Sequence, residues 1–393
     1  MDRTSRRGLL GVIGTGAIAG CLGGATESIG AGSIDDDGPD DDSADADRDG
    51  SGEDVDEPGE SDDAAPAEGG DGPPTRSEPR YVPWDLDDLF NEQLDGGPGV
   101  DGIPSIDEPV FADADDEEID LHDDHPVFGV AFDGDARAYP QEILVWHEIV
   151  NDTIAGESVA VTYCPLTGTA QGFYRRETTL GVSGMLVNSN LIMWARATDS
   201  RWPQVLATAM YGEHEGESLR EFQVIWTSWE RWRSVHPDTK VLTENTGFQR
   251  RYGDDPYGSY ADGSRSGYYA EDVDTMFPPL ETIDAVPPKR VVVGTRTTDG
   301  ALAFEKEPLL EARLKEGSID DTSYLAVADH ALATAYVYEG ATAADVDPID
   351  DENAYRVDGE TYAPGELPFD RRIAFDAMHF AWYGFYPDTE YVA

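Results

Sequence analysis

A single cysteine, Cys164, is the residue whose type and setting most directly indicate chemistry in this chain. It follows the β-branched segment 158–163 and precedes Pro165, within the string Val-Thr-Tyr-Cys-Pro-Leu-Thr-Gly-Thr of residues 161–169. The chain has two cysteines, and the other, Cys21, lies in an N-terminal targeting signal, so no internal disulfide is expected. Cys164 is therefore either a buried small hydrophobic residue or a chemically used sulfur.

Donors near this cysteine favour a stabilised thiolate. Cys164 ends a predicted strand and enters a Pro/Gly turn, where backbone N–H groups can point at the sulfur. Thr167 and Thr169 can add hydroxyl donors. Because such donors lower the pKa of a thiol, the sequence predicts an activated Cys164 with both threonines in the candidate catalytic set.

A second group of polar residues lies before that strand. We predict a helix over residues 141–151, which places His147 and Asn151 on one face at i, i+4, with Glu148 beside them. His147 is the candidate base or ion-pair partner of Cys164, and Asn151 and Glu148 complete the candidate catalytic set. The alternative is a His147 packed under the sheet and an inert, buried Cys164.

Two further interpretations of these residues stay open. Residues 151–153 form an Asn-x-Thr glycosylation sequon, and a glycan on Asn151 excludes a catalytic role for that side chain. Cys164 and His147, joined by Glu148, suit a copper or iron ion, although the spacing shows no fourth ligand and no Cys-x-x-Cys or His-x-x-x-His pair.

The first residues of the chain resemble an export signal. Arg6 and Arg7 form a twin-arginine pattern, and the apolar run 9–19 that follows is too short for a bilayer core of about 30 Å. Cys21 ends an Ile-Ala-Gly-Cys string typical of lipidation. Residues 1–21 are therefore predicted to be a lipoprotein signal, with the export machinery and membrane lipid as partners. The expected location is the extracellular face of the cytoplasmic membrane.

The charge of the chain is extremely acidic. There are 81 Asp and Glu residues against 27 Lys and Arg residues, a formal net charge of -54. In molar salt the Debye length falls to about 3 Å, which screens such self-repulsion. The composition therefore predicts a salt-adapted source. Nucleic acid is excluded as an expected partner, because phosphate contacts need clustered Lys and Arg residues.

Composition divides the remaining chain into three parts. Residues 22–79 are Asp-, Glu-, Gly- and Ser-rich and are predicted to be an acidic, disordered linker. Residues 80–245 are predicted to be a first repeat half carrying the Cys164 site. Residues 246–393 are predicted to be a connecting loop and a degenerate second half.

The two halves are inferred from an internal repeat. Residues 128–139 resemble residues 293–304 at an offset of 293−128=165, and Trp232 corresponds to Trp382 at an offset of 382−232=150. Alternating apolar residues around Asp-Gly pairs predict hairpins in both copies. We therefore expect an α+β protein, mostly antiparallel β, with two pseudo-repeated halves and short helices.

The candidate chemistry is confined to the first copy. At the offset of 165, Cys164 corresponds to Asp329 and His147 corresponds to Ala312, so the second copy lacks a Cys–His pair. We expect the second half to be a structural partner of the first.

The quoted strings resemble a family of exported bacterial and archaeal proteins. It is catalogued as domain of unknown function thirty-one seventy-nine. The resemblance covers roughly residues 120 to 390. Some members are similar to selenoproteins with selenocysteine at the position of Cys164, which implies a nucleophilic or redox-active chalcogen there. The segments that carry the resemblance are 139–152, 163–169, 181–184, 188–189, 199–200, 202–204, 229–239 and 255–260.

Together these patterns predict an exported lipoprotein that is a thiol-based redox or nucleophilic enzyme centred on Cys164, acting on a small-molecule or thiol partner. One alternative is a non-catalytic surface module that binds carbohydrate or peptide through its aromatic residues. The other is a metal protein with a copper or iron ion at Cys164 and His147 as its cofactor. Hydrolase and nucleotide-binding motifs are missing from the sequence.

Overall fold

The structure is a computed structural model. The predicted signal residues Arg6, Arg7 and Cys21 lie outside the described residues, as does most of the predicted linker. The described stretches are residues 71–132, 134–260, 265–350 and 352–393.

Residues 71–79, which the composition assigns to the linker, pack against the first half. Thr75 is 4% exposed and forms an antiparallel β-bridge with Leu219. The backbone N–H of Arg76 donates to the Ser218 carbonyl at 2.8 Å. This pairing continues the described fold upstream of residue 80.

The first half and the segment before it contain short helices and strands that are mostly antiparallel. In chain order they are α1 (Leu86–Asn91), β1 (Leu94–Asp95), β2 (Phe111–Asp113), β3 (Pro126–Phe132), β4 (Asp135–Pro140), α2 (Gln141–His147), β5 (Ile149–Ile154), β6 (Glu157–Cys164), β7 (Thr169–Tyr174), β8 (Leu180–Val187), β9 (Asn190–Ala195), β10 (Arg201–Pro203), β11 (Glu221–Phe222), β12 (Ile225–Ser228), α3 (Trp229–Val235) and β13 (Lys240–Leu242).

The connecting loop and the second half are also built from short strands and short helices. Their elements are β14 (Gly258–Ser259), β15 (Ser266–Gly267), β16 (Val291–Arg296), β17 (Ala301–Glu305), α4 (Lys306–Ala312), β18 (Leu314–Ile319), β19 (Thr322–Asp329), β20 (Thr334–Glu339), β21 (Asp347–Pro348), β22 (Tyr355–Val357), β23 (Glu360–Tyr362), β24 (Asp370–Arg372), β25 (Ala374–Met378), α5 (His379–Phe385) and β26 (Glu390–Val392).

The element order β3-β4-α2-β5-β6-β7 recurs as β16-β17-α4-β18-β19-β20. Strand β6 begins at residue 157 and β19 at residue 322, an offset of 322−157=165. Helix α3 begins at residue 229 and α5 at residue 379, an offset of 379−229=150. The predicted α+β fold, mostly antiparallel and built from two pseudo-repeated halves with short helices, is confirmed.

Each half contains the same pair of sheets. One sheet has the order β12-β3-β4-β13-β2 in the first half and β25-β16-β17-β26 in the second. In both, the last strand of the half runs parallel to its second strand, β13 beside β4 and β26 beside β17. The other sheet has the order β11-β7-β6-β5 in the first half and β18-β19-β20-β24 in the second.

A glycine under a tryptophan sets the packing of the last helix on the first strand. A Cβ atom added at Gly129 would lie 2.2 Å from the Trp232 ring, and one added at Gly294 would lie 2.2 Å from the Trp382 ring. Each indole N–H donates to a threonine hydroxyl, at 2.9 Å in the first half and 3.0 Å in the second. The Gly–Trp–Thr arrangement is thus scaffold kept in both copies.

Helix α2 ends earlier than the sequence predicts. It stops at His147, and Glu148 adopts a left-handed backbone with φ of 58°. The β-branched residues Ile149 and Val150 then enter strand β5. The predicted helix over 141–151 is therefore wrong at its C-terminal end, and His147 and Asn151 do not share a helix face.

The halves are joined by backbone and side-chain hydrogen bonds. The Met378 N–H donates to the Thr167 carbonyl at 2.9 Å, and Asn188 Nδ2 donates to the Ala381 carbonyl at 2.8 Å. Both contacts connect the start of α5 to loops of the first half. The turn that follows Cys164 therefore lies against the second half.

A buried network of ion pairs connects side chains that are far apart in the sequence. Glu221 is 1% exposed and accepts from Arg296 at 2.7 Å and from Arg80 at 3.0 Å. Burial alone would raise the pKa of Glu221, but the two guanidinium groups lower it. The network therefore ties the start of the first half, strand β11 and strand β16 of the second half together.

Among the described residues, no helix is both long and apolar enough to span a membrane.

Candidate functional site

Cys164 lies at the end of strand β6 in a buried environment. Its side chain is 1% exposed and packs in an apolar cluster with Leu166, Tyr268 and Met378. The sulfur accepts from the Leu191 N–H at 3.4 Å. The thiol is therefore enclosed by the turn that follows it, by the connecting loop, by strand β9 and by the second half.

The tip of the β8–β9 hairpin brings these groups to the sulfur. Asn188 and Ser189 have φ values of 54° and 60°, the positive pair that a tight two-residue hairpin loop requires. Cys164 donates to the Ser189 carbonyl at 3.7 Å, and Leu191 follows directly in strand β9. The hairpin loop thus places one donor and one acceptor at the thiol.

The predicted threonines lie on a polar network beside Cys164. Both the hydroxyl and the N–H of Thr167 lower the pKa of Cys164. The hydroxyls of Thr167 and Thr169 lie 2.8 Å apart, and Thr169 donates to Gln204 Oε1 at 2.6 Å. Because Thr169 uses its hydrogen on Gln204, the Thr167 hydroxyl can turn between Thr169 and the sulfur.

The pKa of the Cys164 thiol is raised to about 11. Burial is the largest cause and the Glu148 carboxyl is the second, while hydrogen bonds from Thr167 and Leu191 lower the value. The predicted donors are present, but desolvation outweighs them. The expectation of a lowered thiol pKa is therefore wrong for the molecule at rest.

Glu148 is a buried carboxyl without a partner. It is 8% exposed, and the described residues provide no hydrogen bond or ion pair to its side chain. Burial raises its pKa to about 8. Its charge also raises the pKa values of Cys164 and Tyr257, so the three groups interact electrostatically in a buried environment.

His147 is fully buried and engaged elsewhere. Its Nδ1 lies 2.7 Å from the Pro104 carbonyl, which can only accept, so this nitrogen carries the hydrogen. Its Nε2 then accepts from the Tyr252 hydroxyl at 2.8 Å. Since both ring nitrogens have partners, the structure does not form the predicted hydrogen-bonded pair of His147 and Cys164.

Asn151 is a structural residue of strand β5. It is 1% exposed, its Nδ2 donates to Asp107 and to the Leu180 carbonyl, and its Oδ1 accepts from the Leu180 N–H. A glycan needs a free, exposed amide nitrogen, which this geometry does not offer. The amide is also fully used, so the structure gives Asn151 neither of its two predicted roles.

The residues proposed for a metal are not assembled. The two nitrogens of His147 are occupied, and within the described stretches no group of three or more His, Cys, Asp or Glu side chains is arranged to hold an ion. The structure places Glu148 near Cys164 without a third ligand. The copper or iron interpretation therefore finds no support in the geometry.

In the second copy, the position that corresponds to Cys164 holds a negatively charged side chain that accepts a backbone hydrogen bond. Asp329 occupies that position, and its carboxylate accepts from the Leu332 N–H at 3.0 Å. Leu332 corresponds to Thr167, since 332−167=165. The Thr167 N–H lowers the pKa of Cys164, so the same backbone donor favours negative charge in both halves.

The partner of the thiol also differs between the copies. Glu148 corresponds to Arg313, which has the same left-handed backbone with φ of 69°. The Arg313 guanidinium reaches outward to carbonyls that include that of Ile349 at 2.6 Å. The buried carboxyl beside a thiol is thus a property of the first half.

A cleft of about 550 Å³ lies close to this site between the two halves. Trp226, Tyr260 and Thr227 line it, together with side chains of both signs of charge. The Tyr260 hydroxyl would lie 3.7 Å from a Cβ atom added at Gly168, in the turn after Cys164. One wall of the cleft therefore touches the turn that holds the sulfur.

Sequence reasoning missed part of the polar network. Gln204 and Asn190 join Thr167 to Thr169, with Asn190 Nδ2 donating to Thr167 at 3.1 Å. Both residues lie in or next to segments that carried the family resemblance, which was the available signal. No local pattern links them to Cys164, because they reach it only through strand pairing.

The comparison with known proteins agrees with the resemblance found in the sequence. No curated protein and no solved structure matches the chain. A family model described as "Protein of unknown function (DUF3179)" matches residues 100–389, which is most of the chain. The chain therefore belongs to that family.

Proposed function

We propose that this chain is an exported thiol enzyme in which the sulfur of Cys164 attacks an electrophilic substrate and Glu148 accepts its proton. The observation that carries the proposal is the Glu148 carboxyl, which is 8% exposed and has no partner among the described residues. An unpaired buried carboxyl destabilises a fold. Its presence beside a thiol is accounted for by proton transfer.

The proposed step conserves atoms and electrons. The Glu148 carboxylate takes the proton of Cys164, and the thiolate attacks one sulfur of a small disulfide. A new S–S bond forms, the old one breaks, and the departing sulfur keeps the electron pair and receives the proton from Glu148. A small external thiol then reverses the exchange, because Cys164 is the only cysteine of the described residues.

The electrostatics of the pair support this order of events. While Glu148 is ionised, its charge raises the pKa of Cys164. Once Glu148 holds the proton it is neutral, so the repulsion disappears in the step that creates the thiolate. The donors from Thr167 and Leu191 then stabilise the negative sulfur.

The location of this activity is part of the proposal. The twin-arginine pattern at Arg6 and Arg7 and the lipidation string at Cys21 support export and a lipid anchor on the extracellular face of the cytoplasmic membrane. The formal net charge of -54 supports a protein that is folded and active in concentrated salt. The export machinery, membrane lipid and an external thiol are the proposed partners.

The test is turnover of a small aromatic disulfide by an external thiol, using the full chain with Cys21→Ser in molar salt. We expect Cys164→Ser to abolish turnover. Glu148→Gln should lower the rate at pH 8 while making Cys164 easier to ionise. Glu142→Gln is the matched control, because it removes a carboxyl at the other end of α2 whose pKa burial raises to about 7.

Equal turnover in Cys164→Ser and the parent would overturn the proposal. So would a thiol that iodoacetamide modifies only after unfolding, since a nucleophile must meet its substrate in the folded protein. A Glu148→Gln variant that matches the parent at every pH would remove Glu148 from the mechanism.

A second candidate function is ligand binding in the cleft between the halves. Thr227 is 6% exposed and its hydroxyl has no hydrogen-bond partner, although it lines this cleft beside Trp226. A saccharide would supply hydroxyls for Thr227 and an apolar face for the indole. Titration of tryptophan fluorescence with soluble oligosaccharides tests this, and Trp226→Ala should abolish the response while Cys164→Ala should not.

A further inference from the structure

We infer that the second half binds a neutral, planar ring compound in a cavity beside His379. The cavity has a volume of about 480 Å³, within the range of small-molecule sites. Prolines and aromatic rings form much of its wall. Its lining includes Pro279, Pro287, Val286, Phe380, Tyr383 and His379.

His379 presents an unused imidazole to this cavity. It is 3% exposed, and its ring nitrogens make no hydrogen bond to any residue of the described ranges. The ring stacks on Tyr383 with centroids 5.8 Å apart, and the edge of Tyr391 lies 5.2 Å away. These contacts fix the ring plane and leave its polar edge for a ligand.

The imidazole is neutral in this setting. Burial lowers the pKa of His379 to about 4, against a smaller opposing effect of the Glu305 carboxylate. A neutral imidazole has one N–H donor and one bare nitrogen acceptor. It therefore suits a ligand with a neutral hydrogen-bonding edge.

The internal repeat shows what this position holds in the first half. His379 is the first residue of α5, and the first residue of α3 is Trp229. Trp229 is 1% exposed and fills the core of the first half with its indole. The second half keeps the helix but has the smaller imidazole of His379 where the first half has an indole. We therefore infer that the ligand lies next to a position at which the fold can accommodate a large planar ring.

The surroundings of the cavity select against charge. Residues 273–283, part of which lines the cavity, contribute three of the exposed large hydrophobic side chains of the described residues: Val273 at 37%, Met276 at 54% and Ile283 at 42%. The acidic residues Asp274 and Glu281 line the same cavity. Apolar residues favour a ring compound and make the burial of a charged group of either sign costly, and the carboxylates add repulsion of anions, so a neutral ring is the chemistry that fits.

The test uses three probes that share one ring system, titrated against the full chain in molar salt. They are 2-naphthol with a neutral polar edge, naphthalene with none, and 2-naphthalenesulfonate with a negative charge. We expect 2-naphthol to bind about tenfold more tightly than naphthalene, the value of about one hydrogen bond. The sulfonate should bind more weakly than both.

Two variants distinguish the space beside His379 from the hydrogen bonds that its imidazole offers to a ligand. His379→Trp restores the residue of the first half, fills the cavity and should abolish binding while the unfolding midpoint is kept. His379→Phe should reduce 2-naphthol to the affinity of naphthalene. His330→Phe, an exposed histidine whose Nε2 contacts the Leu310 carbonyl, is the control and should change nothing.

Binding of 2-naphthol that survives in His379→Trp would overturn the inference, as would preference for the sulfonate or lack of binding by all three probes. The outcome is independent of the thiol chemistry. Cys164→Ala should bind 2-naphthol like the parent, so a failure here and a failure of the proposed function are distinguishable.

Discussion

At Cys164, two opposing influences act on one sulfur atom. The turn supplies hydrogen bonds from Thr167, and strand β9 supplies one from Leu191, all of which favour a thiolate. Burial and the Glu148 carboxyl favour the neutral thiol and prevail. Reactivity therefore depends on whether the carboxyl is charged, which ties the thiol to a titration near pH 8.

Replacing the nearer threonine should make the thiol still harder to ionise. Thr167→Val removes a hydroxyl donor to the sulfur, and we expect the pKa of Cys164 to rise by up to about one unit, the worth of roughly one hydrogen bond. The measurement is the rate of alkylation against pH in molar salt, with Cys21→Ser in the background.

Thr169→Val is the matched control for that variant. It removes a buried hydroxyl of the same network, but its oxygen bonds to Gln204 and Thr167. The pKa of Cys164 should stay close to the parent value. An equal rise in both variants would mean that the network acts as a whole and that Thr167 has no direct effect.

Glu148 should make the stability of the fold depend on pH. Its pKa is about 8 in the folded chain against 4.5 for an ordinary glutamate, so the folded state holds the proton more tightly. The free energy of unfolding contributed by the protonated form is complete below pH 4.5 and is lost as pH rises to about 8. Glu148→Gln should therefore gain stability relative to the parent, by up to a few kcal/mol, over that interval.

Urea unfolding at pH 5 and pH 9, at one molar salt concentration, measures this difference. The comparison between variant and parent cancels most other titrating groups. A difference that does not change with pH would show that Glu148 is already ionised in the folded protein.

The sequence identified the sulfur and favoured His147 as its base, whereas the residue that we propose for that role is Glu148. Cys164 and Thr167 could be predicted because a lone cysteine in a Pro/Gly turn is a local signal. The sequence favours His147 over Glu148 because histidine is the usual base and the pattern predicts a helix that continues to residue 151. The left-handed backbone at Glu148, rare for a residue other than glycine, has no signature in the sequence.

Among the elements, the paired Gly–Trp contacts should be equally intolerant of a methyl group. Gly129→Ala and Gly294→Ala each bring a Cβ atom to 2.2 Å from an indole ring, so the last helix of the half must shift. We expect each variant to lose roughly 1–3 kcal/mol or more of unfolding free energy. Chemical denaturation in molar salt measures both.

Gly253→Ala is the control, since a Cβ atom there meets nothing within 4 Å and the backbone has no positive φ. It should stay within about 0.5 kcal/mol of the parent. A tolerated Gly294→Ala beside a damaged Gly129→Ala would show that only the first half depends on this packing.

The internal repeat predicts the helices and strands better than composition alone. Two offsets, 165 and 150, place helices and strands of one half onto the other, so a segment read in one copy supports the same element in the other. The sheet order was beyond such reasoning, because β13 lies parallel to β4 after more than ninety intervening residues. Local patterns carry no information on that pairing.

Across the whole molecule, the Glu221 network is expected to hold three parts of the chain together. Glu221→Gln removes the carboxylate that the buried Arg296 and Arg80 share, and we expect a loss of roughly 3–5 kcal/mol in unfolding free energy. The effect should persist in molar salt, since a buried pair is poorly screened.

Thermal unfolding at low and high salt separates this network from the surface charge. Arg233→Gln is the control, because its pair with Asp123 at 3.2 Å is exposed and should contribute less than about 1 kcal/mol. A Glu221→Gln chain as stable as the parent would mean that hydration replaces the lost carboxylate.

The parallel strand that closes each half has a consequence for synthesis. The first half has all its strands once Leu242 has emerged from the ribosome, whereas the second must wait for residues 390–392 to reach their place beside β17. Met378, which covers the turn after Cys164, belongs to that late half. The thiol is thus enclosed near the end of translation, so nascent chains should react with thiol reagents faster than the finished fold, long after the strand bearing Cys164 has formed.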